Sequence, residues 1–346
     1  MAVSLWRSRT IAALALAAAA IETIASPQTP ELDAAVRGVL TRYLKFSNSE
    51  LADLQRGRTI KHTLDSRSPG EFGVAGATRI RSSTAAFMAA ARDITRFKSD
   101  PGVLEIGRFS DPPTLQDLTA LTVDKEDFDV SSCRLRRCGI RLPAGMIVRA
   151  QREIDVNGAS EDERSAAWFK RALLADVTSY VTGTPGRFQQ YDDDPSPIRP
   201  LEEFAAVLDH MPAIGVLVPG LPDHLARFPD ARVAGADDFL YWSKEKFGGG
   251  APFISVTHVT IVCPSQRMCV MTTKDVYSSR YIDASLAVAI ATDSGNLFDL
   301  VYANRSRVNA LKGGLSGLRR SFVERRARAA LDDSLKTIKF RLEKGG

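Results

Sequence analysis

Four cysteines, four histidines and a run of paired arginines are the side chains in this 346-residue chain whose types and spacing suit chemistry. The cysteines form two local pairs, Cys133 and Cys138 in CRLRRC and Cys263 and Cys269 in CPSQRMC. Each pair brackets a short polar turn, and two strands joined through such a turn bring their thiols within bridging reach, so two small-loop disulfides are expected. Zinc knuckles favour two residues between ligands. Here there are four and five, and more than a hundred residues separate the pairs, so no metal site is expected. His62, His210, His224 and His258 include no pair at the i, i+4 spacing of a helical metal motif. No GxSxG elbow occurs, since GGLSGL around Ser316 lacks the strand-to-helix frame. The aspartates 192–194 in YDDDPSPIRP lack the alternating carboxylates and central glycine of a calcium loop and read as a solvent loop. No catalytic residue and no cofactor is assigned.

The arginines lie in GGLSGLRRSFVERRARAALDDSLKTIKF. From Arg305 to Lys344 there are twelve Lys/Arg against four Asp/Glu, while the rest of the chain has thirty-four against thirty-seven, so the net charge of +5 is local. Such a segment attracts phosphate, anionic head groups or an acidic partner, or it is a solvated helix face. Leu318, Phe322, Ala327, Leu331, Leu335, Ile338 and Leu342 recur every three to five residues and make one apolar stripe, with the cations off it. Phe322 and Phe340 are its only rings, too few for stacking on single-stranded nucleic acid.

The N-terminus sets the compartment. Arg7 and Arg9 precede the apolar run from Ile11 to Ile21, too short to span a bilayer, and Thr23-Ile24-Ala25 offers small residues for cleavage. Residues 1–25 therefore read as a signal peptide and the protein as exported, periplasmic or extracellular, where disulfides persist. Export removes nucleic acid as a partner. A monomer is expected.

The elements that must position these residues follow from periodicity. Residues 26–154 read as the first part of one domain: TPELDAAVRGVLTRYLKF and SNSELADLQRG as helices, RTIKHTLD and GEFGVAGATRIRS as strands, STAAFMAAARDITRF as a helix capped at Ser83. GVLEIGRFS reads as a strand, TLQDLTALT as helical, and a hairpin is expected around Cys133 and Cys138. Residues 155–250 read as a helical insertion or lid, with helices in SEDERSAAWFKRALLADVTSYVTG and PIRPLEEFAAVLDHM. In 251–346, PFISVTHVTIVC, MCVMTTKDVYSS, RYIDASLAVAIATD and NLFDLVYANRS are consecutive antiparallel strands before the long final helix. One face of the third is Ile282, Ala284, Leu286, Val288 and Ile290, and the final helix is expected to cover it. Such a face either packs dry or leaves a cavity.

GEFGVAGATRIRSSTAAFMAAARDI and LVYANRSRVNALKGGLSGLRRSFVERRARAAL, with the element order between them, resemble the START-related helix-grip superfamily over about residues 57–110 and 250–343; the chain also looks similar to secreted bacterial proteins of unassigned function. The insertion and the cysteine pairs depart from that pattern. The resemblance implies an α+β fold, a curved antiparallel sheet wrapped on a long C-terminal helix, and a non-catalytic binding protein for an apolar small molecule or lipid. By the two-residue strand period, Ile282, Leu286 and Val288 with Arg280, His258 and Tyr302 are the expected ligand-binding residues. Two alternatives stand beside it. One is a cyclase- or hydrolase-like enzyme using the same cavity, with His258, Tyr277 or Asp283 as acid or base. The other is an envelope interaction protein whose basic C-terminal helix touches an anionic membrane surface.

Overall fold

The computed structural model describes residues 31–99, 101–154, 160–184, 190–193, 197–246, 250–312 and 316–345. The expected signal peptide lies outside the described residues. Eight strands, β1 (Ile60–Leu64), β2 (Glu71–Ile80), β3 (Val103–Arg108), β4 (Asp237–Glu245), β5 (Phe253–Ser265), β6 (Met268–Ser278), β7 (Ile282–Ser294) and β8 (Leu297–Val308), form one open, curved sheet. Its order is β1-β2-β8-β7-β6-β5-β4-β3, and every pairing is antiparallel. The four strands expected after residue 251 are β5 to β8, joined at the turns where Pro264–Arg267 and Asp293–Asn296 punctuate the alternation.

Both faces of this sheet are buried, by different parts of the chain. The even positions of β7, Leu286, Val288 and Ile290, pack with Val301 and Ala303 of β8 against helices from two regions. The first is α1 (Ala34–Gly38), which continues as a π turn over Val39–Tyr43, with α2 (Asn48–Gln55), whose Ser47–Glu50 capping box fixes its start. On the opposite face, α3 (Thr84–Arg92) and α4 (Ile94–Phe97) lie with Ala289, Ala291, Leu300 and Phe298.

On the first face, α5 (Ala144–Glu153) and α6 (Glu161–Thr182) cover the β4–β5–β6 end, where Trp242, Ile254, Val256 and Tyr277 meet Phe128, Trp168 and Phe169. Next to them α7 (Pro200–Asp209), α8 (Ala213–Leu217) and α9 (Leu221–Arg227) cover β7 and β8. The 155–250 segment is thus not wholly helical, since it ends in β4, which pairs with β5 over its whole length. Its continuous burial from Phe239 to Glu245 masks the alternation by which a strand is usually read.

The final helix, α10 (Ser316–Gly345), lies on the face opposite to the aliphatic one. It follows β2 from end to end: Arg320 donates to the Glu71 carbonyl at 2.7 Å, and the Arg81 N–H donates to Glu343 at 2.9 Å. Close approach is set at Gly76, where a Cβ would stand 2.8 Å from Leu335 Cδ1. Leu331 and Leu335 are buried there, and Ala327, Ile338 and Leu342 pack partly against the same cluster. Two expectations are corrected. The face with Ile282, Leu286 and Val288 is not the one α10 covers: α10 lies over β2 and β1 on the opposite face, where Gly76 lets it approach closely, and the aliphatic side is already filled by the short helices. Phe322 is not core: it is 49% exposed, with the Arg326 guanidinium 4.4 Å above its ring. The Leu318 side chain lies outside the described residues.

Both expected disulfides are formed, Cys133–Cys138 and Cys263–Cys269. The second closes the β5–β6 hairpin. The first sits in irregular turns rather than in a hairpin, and TLQDLTALT forms only a 3₁₀ turn at Leu115–Leu118. Asp192 and Asp193 cap the neighbouring chain, accepting from the Ala144 N–H at 2.8 Å and the Arg136 N–H at 2.6 Å.

If α10 is held by its inner stripe, Leu335→Ala should cost about 3 kcal/mol in equilibrium denaturant unfolding. Phe322→Ala should cost less than about 1 kcal/mol. The reverse ranking would mean that the helix presents its other face to the sheet.

Candidate functional site

Register on the aliphatic face brings polar residues into two adjacent rows. Leu240 pairs with His258, His258 with Lys274, Lys274 with Leu286, and Leu286 with Arg305. In the next row Asp238 pairs with Thr260, Thr260 with Thr272, and Thr272 with Val288. The helices above complete a cluster: α6 delivers Tyr180 from its last turn and α9 delivers His224. Phe228, just past α9, lies 4.3 Å from the His258 ring and 5.3 Å from Tyr180, ring centre to ring centre.

Within the cluster one carboxylate oxygen collects three donors. His224 Nε2 and His258 Nε2 each lie 3.0 Å from Asp238 Oδ1, and Thr260 donates to the same oxygen at 2.8 Å. Each imidazole is oriented through its other nitrogen: the Tyr180 hydroxyl is 2.9 Å from His258 Nδ1, and the Val233 N–H donates to His224 Nδ1 at 3.3 Å. That contact puts the His224 proton on Nε2, aimed at Asp238. Burial alone would raise the Asp238 carboxyl, but the hydrogen bonds from His224, His258 and Thr260 outweigh it and hold the group well below the usual carboxylate range. His258 is pulled below its ordinary value, by burial first; Asp238 opposes the shift, and Lys274 adds to it. The cluster is therefore a buried anion held by two imidazoles and a hydroxyl.

Lys274 stands beside it as a buried cation. Its ammonium donates to the Leu225 carbonyl at 2.7 Å and lies 4.3 Å over the Phe204 ring and 5.3 Å over the Tyr180 ring. Burial pulls its pKa down to about 8. Buried ionisable groups with shifts of this kind concentrate at functional sites.

The same rows run on to a crevice of about 50 Å³ between the sheet, the π turn that follows α1, and α8 with the His210–Pro212 segment before it. Its floor is Leu44, Leu64, Ile214, Leu217, Val288 and Ile290, and its rim is Arg42, Arg67, His210 and Arg305. Glu71 anchors the inner rim, accepting from Arg305 at 2.5 Å, His210 at 2.6 Å and Ser68 at 2.9 Å. Arg42 and Arg67 are exposed. The opposite face carries its own polar group near α4. Lys98 is ion-paired with Glu245, and Ser243 donates to Glu245 at 2.6 Å. Asp275, which accepts from Thr257 at 3.2 Å, is pushed up to about 7, mainly by burial.

The expected ligand residues are thus divided among several places. His258 is in the cluster, Leu286 lies between Lys274 and Arg305 in its row, and Val288 lines the crevice. Tyr302 pairs with Ala289 and Gly76 and points to the α10 face, so it does not share an inward face with His258. Arg280 is a structural tie, donating to the carbonyls of Gly139 at 2.7 Å, Pro252 at 2.5 Å and Glu126 at 2.6 Å. Ile282 is half-buried at the start of β7, opposite Val308. Of the acid–base candidates other than His258, the buried Tyr277 donates to the Arg141 carbonyl at 3.3 Å, and Asp283 is paired with Arg141 at 2.5 Å and Lys312 at 3.0 Å. His224, Asp238, Lys274 and Tyr180 carry no local spacing signal. The β4–β5 register places Asp238 next to His258. No family model matches this chain, and no curated protein matches it.

Lys274 supplies a pH signature. Its folded pKa lies below the unfolded value of about 10.4, so the unfolded chain binds more protons between about pH 8 and 10.4, and stability should rise with pH across that window. Lys274→Met should remove this rise and stabilise the protein at pH 7 by up to about 3 kcal/mol. Denaturant midpoints at pH 7 and 9.5 measure it; an unchanged slope in the variant would place the titration elsewhere.

Proposed function

We propose that this is an exported, non-catalytic binding protein for a small amphipathic molecule with an apolar body and an anionic head. One observation carries the reading: the crevice has an aliphatic floor below a rim of Arg42, Arg67, His210 and Arg305. At about 50 Å³ it is small beside a typical ligand pocket of roughly 300–1,000 Å³. A short alkyl end fits it, and a longer chain requires α8 to move away from the sheet. Arg42 and Arg67 offer charge-assisted hydrogen bonds to a carboxylate, sulfate or phosphate, beside His210 and the Arg305–Glu71 pair. Export is supported by the two disulfides, which fit a periplasmic or extracellular protein. The helix-grip reading of the fold is supported by the order β2, α3, α4, β3, then, after the inserted α5 to α9, β4 to β8 and α10, with β2 beside β8.

A second reading has its own support. Phe322 and Phe340 are 49% and 58% exposed and eighteen residues apart, which is five turns, so they share the outer side of α10 about 27 Å from one another. Arg326 and Lys344 cover their rings, and Arg325, Arg328 and Lys336 are exposed alongside. Rings and cations on one side of a helix suit an anionic membrane surface.

Calorimetry with octanoate separates the two readings. Binding to the wild type should weaken at least about tenfold, the size of one lost charge-assisted hydrogen bond, in Arg42→Ala with Arg67→Ala, and should be lost in Val288→Trp. No binding, or binding indifferent to these changes, rejects the crevice. Sedimentation with anionic vesicles that is lost in Arg325→Ala with Arg326→Ala would then favour the outer face of α10.

A further inference from the structure

We propose that His224, Asp238, His258 and Thr260 form a binding site for one Zn²⁺-class transition-metal ion. Two imidazoles and a carboxylate are a donor set that suits zinc and its first-row neighbours. They come from three separate elements, α9, β4 and β5, and converge on one point: the imidazole nitrogens and the carboxylate oxygen all lie within 4.8 Å of one another. Both nitrogens are 3.0 Å from Asp238 Oδ1, and Thr260 Oγ1 is 2.8 Å from that oxygen and 3.4 Å from each nitrogen. The edge of a tetrahedron of ligands at zinc bond lengths is about 3.3 Å. These five edges are within about half an ångström of that value, and the sixth, between the two imidazole nitrogens, lies within 4.8 Å and must close toward it for an ion to be surrounded.

The surroundings are those of a supported site. His224 and His258 are fully buried, so their rings cannot swing into solvent. Tyr180 holds the far nitrogen of His258, the outer-shell contact that fixes a ligating imidazole. Thr272, the row neighbour of Thr260, is fully buried and its hydroxyl has no hydrogen-bond partner among the described residues. A water on the ion would give that hydroxyl a partner. Asp238 keeps a side-chain exposure of 11%, with the exposed Arg232 3.8 Å from its second oxygen, and this edge is the way in from solvent.

Loading replaces the two Nε2 protons by the ion and moves them to Nδ1. At His258 the Tyr180 hydroxyl turns from donor to acceptor and the contact survives. At His224 the new Nδ1 proton faces the Val233 N–H, so that turn between α9 and β4 must move. Lys274, whose ammonium would repel the ion, is drawn away to the Leu225 carbonyl.

The test is a Co²⁺ titration of the full-length processed protein, stripped with a chelator at pH 7.5 and followed by visible absorption, with Zn²⁺ as competitor. One equivalent of Co²⁺ should bind with the spectrum of a low-coordinate nitrogen–oxygen site, and one equivalent of Zn²⁺ should displace it. His258→Gln and Asp238→Asn should abolish uptake. Tyr180→Phe, which keeps every ligand, should lower affinity about 10- to 100-fold. His62→Gln, which changes an imidazole at the far edge of the sheet, should bind as the wild type does. Absence of Co²⁺ uptake by the stripped wild type overturns the site, as does uptake lost in His62→Gln or retained in His258→Gln. Should His258→Gln and Asp238→Asn not fold, the wild-type, Tyr180→Phe and His62→Gln titrations still decide: Tyr180→Phe affinity equal to wild type counts against the site.

Discussion

Burial of the sheet on both faces is the constraint on which the rest of the molecule depends. An antiparallel sheet commonly leaves one face to water, but β7 is buried at every position from Asp283 to Thr292. Its two sides differ: Leu286, Val288 and Ile290 project from one, and Ala287, Ala289 and Ala291 from the other. Bulky side chains hold covering helices away and leave room between them; small ones let a helix approach closely. On the alanine side of β7 the short α3 packs, while on the same face the long α10 lies over β2 and β1 at Gly76, and a mosaic of short helices covers the aliphatic side. A gap where these helices meet the sheet is what makes the crevice.

The same asymmetry explains the polar rows. A continuous aliphatic face under short helices would need only apolar cover, yet His258, Lys274, Asp238 and Arg305 are placed on it. Each is secured at a cost in desolvation, offset for Asp238 by three donors and for Arg305 by Glu71, and hardly offset for Lys274, which has a carbonyl and two ring faces. A metal ion at the Asp238 end would add a buried positive charge to a site that already holds its own anion. An anionic head group at the Arg305 end would add a negative charge beside Arg42 and Arg67, next to the Arg305–Glu71 pair.

Strands β5 to β8 are legible in the sequence because polar turns interrupt them and β-branched residues fill them. Strand β4 is not, because DDFLYWSKE is buried on both sides and follows a long helical stretch. The final helix is legible in extent from its stripe, but its orientation is not: Phe322 fits the apolar period as well as Leu335 does, and only the close approach at Gly76 decides which side faces inward. The candidate site is legible in part. His258 and Val288 follow from strand period, whereas His224 and Asp238 are fourteen residues apart in sequence and meet only through the return from α9 into β4. Tyr302 fails for a simple physical reason: one residue of register changes its face.

The central claim is that ligand recognition belongs to the aliphatic face with its basic rim and not to the face gripped by α10. Hydrogen exchange with and without saturating octanoate tests this most directly. Protection should appear in Val39–Leu44, Leu64–Arg67 and His210–Leu217, the segments that line the crevice. Protection confined to α10 and to the strand around Tyr302 would contradict the account and return the ligand to the opposite side of the sheet.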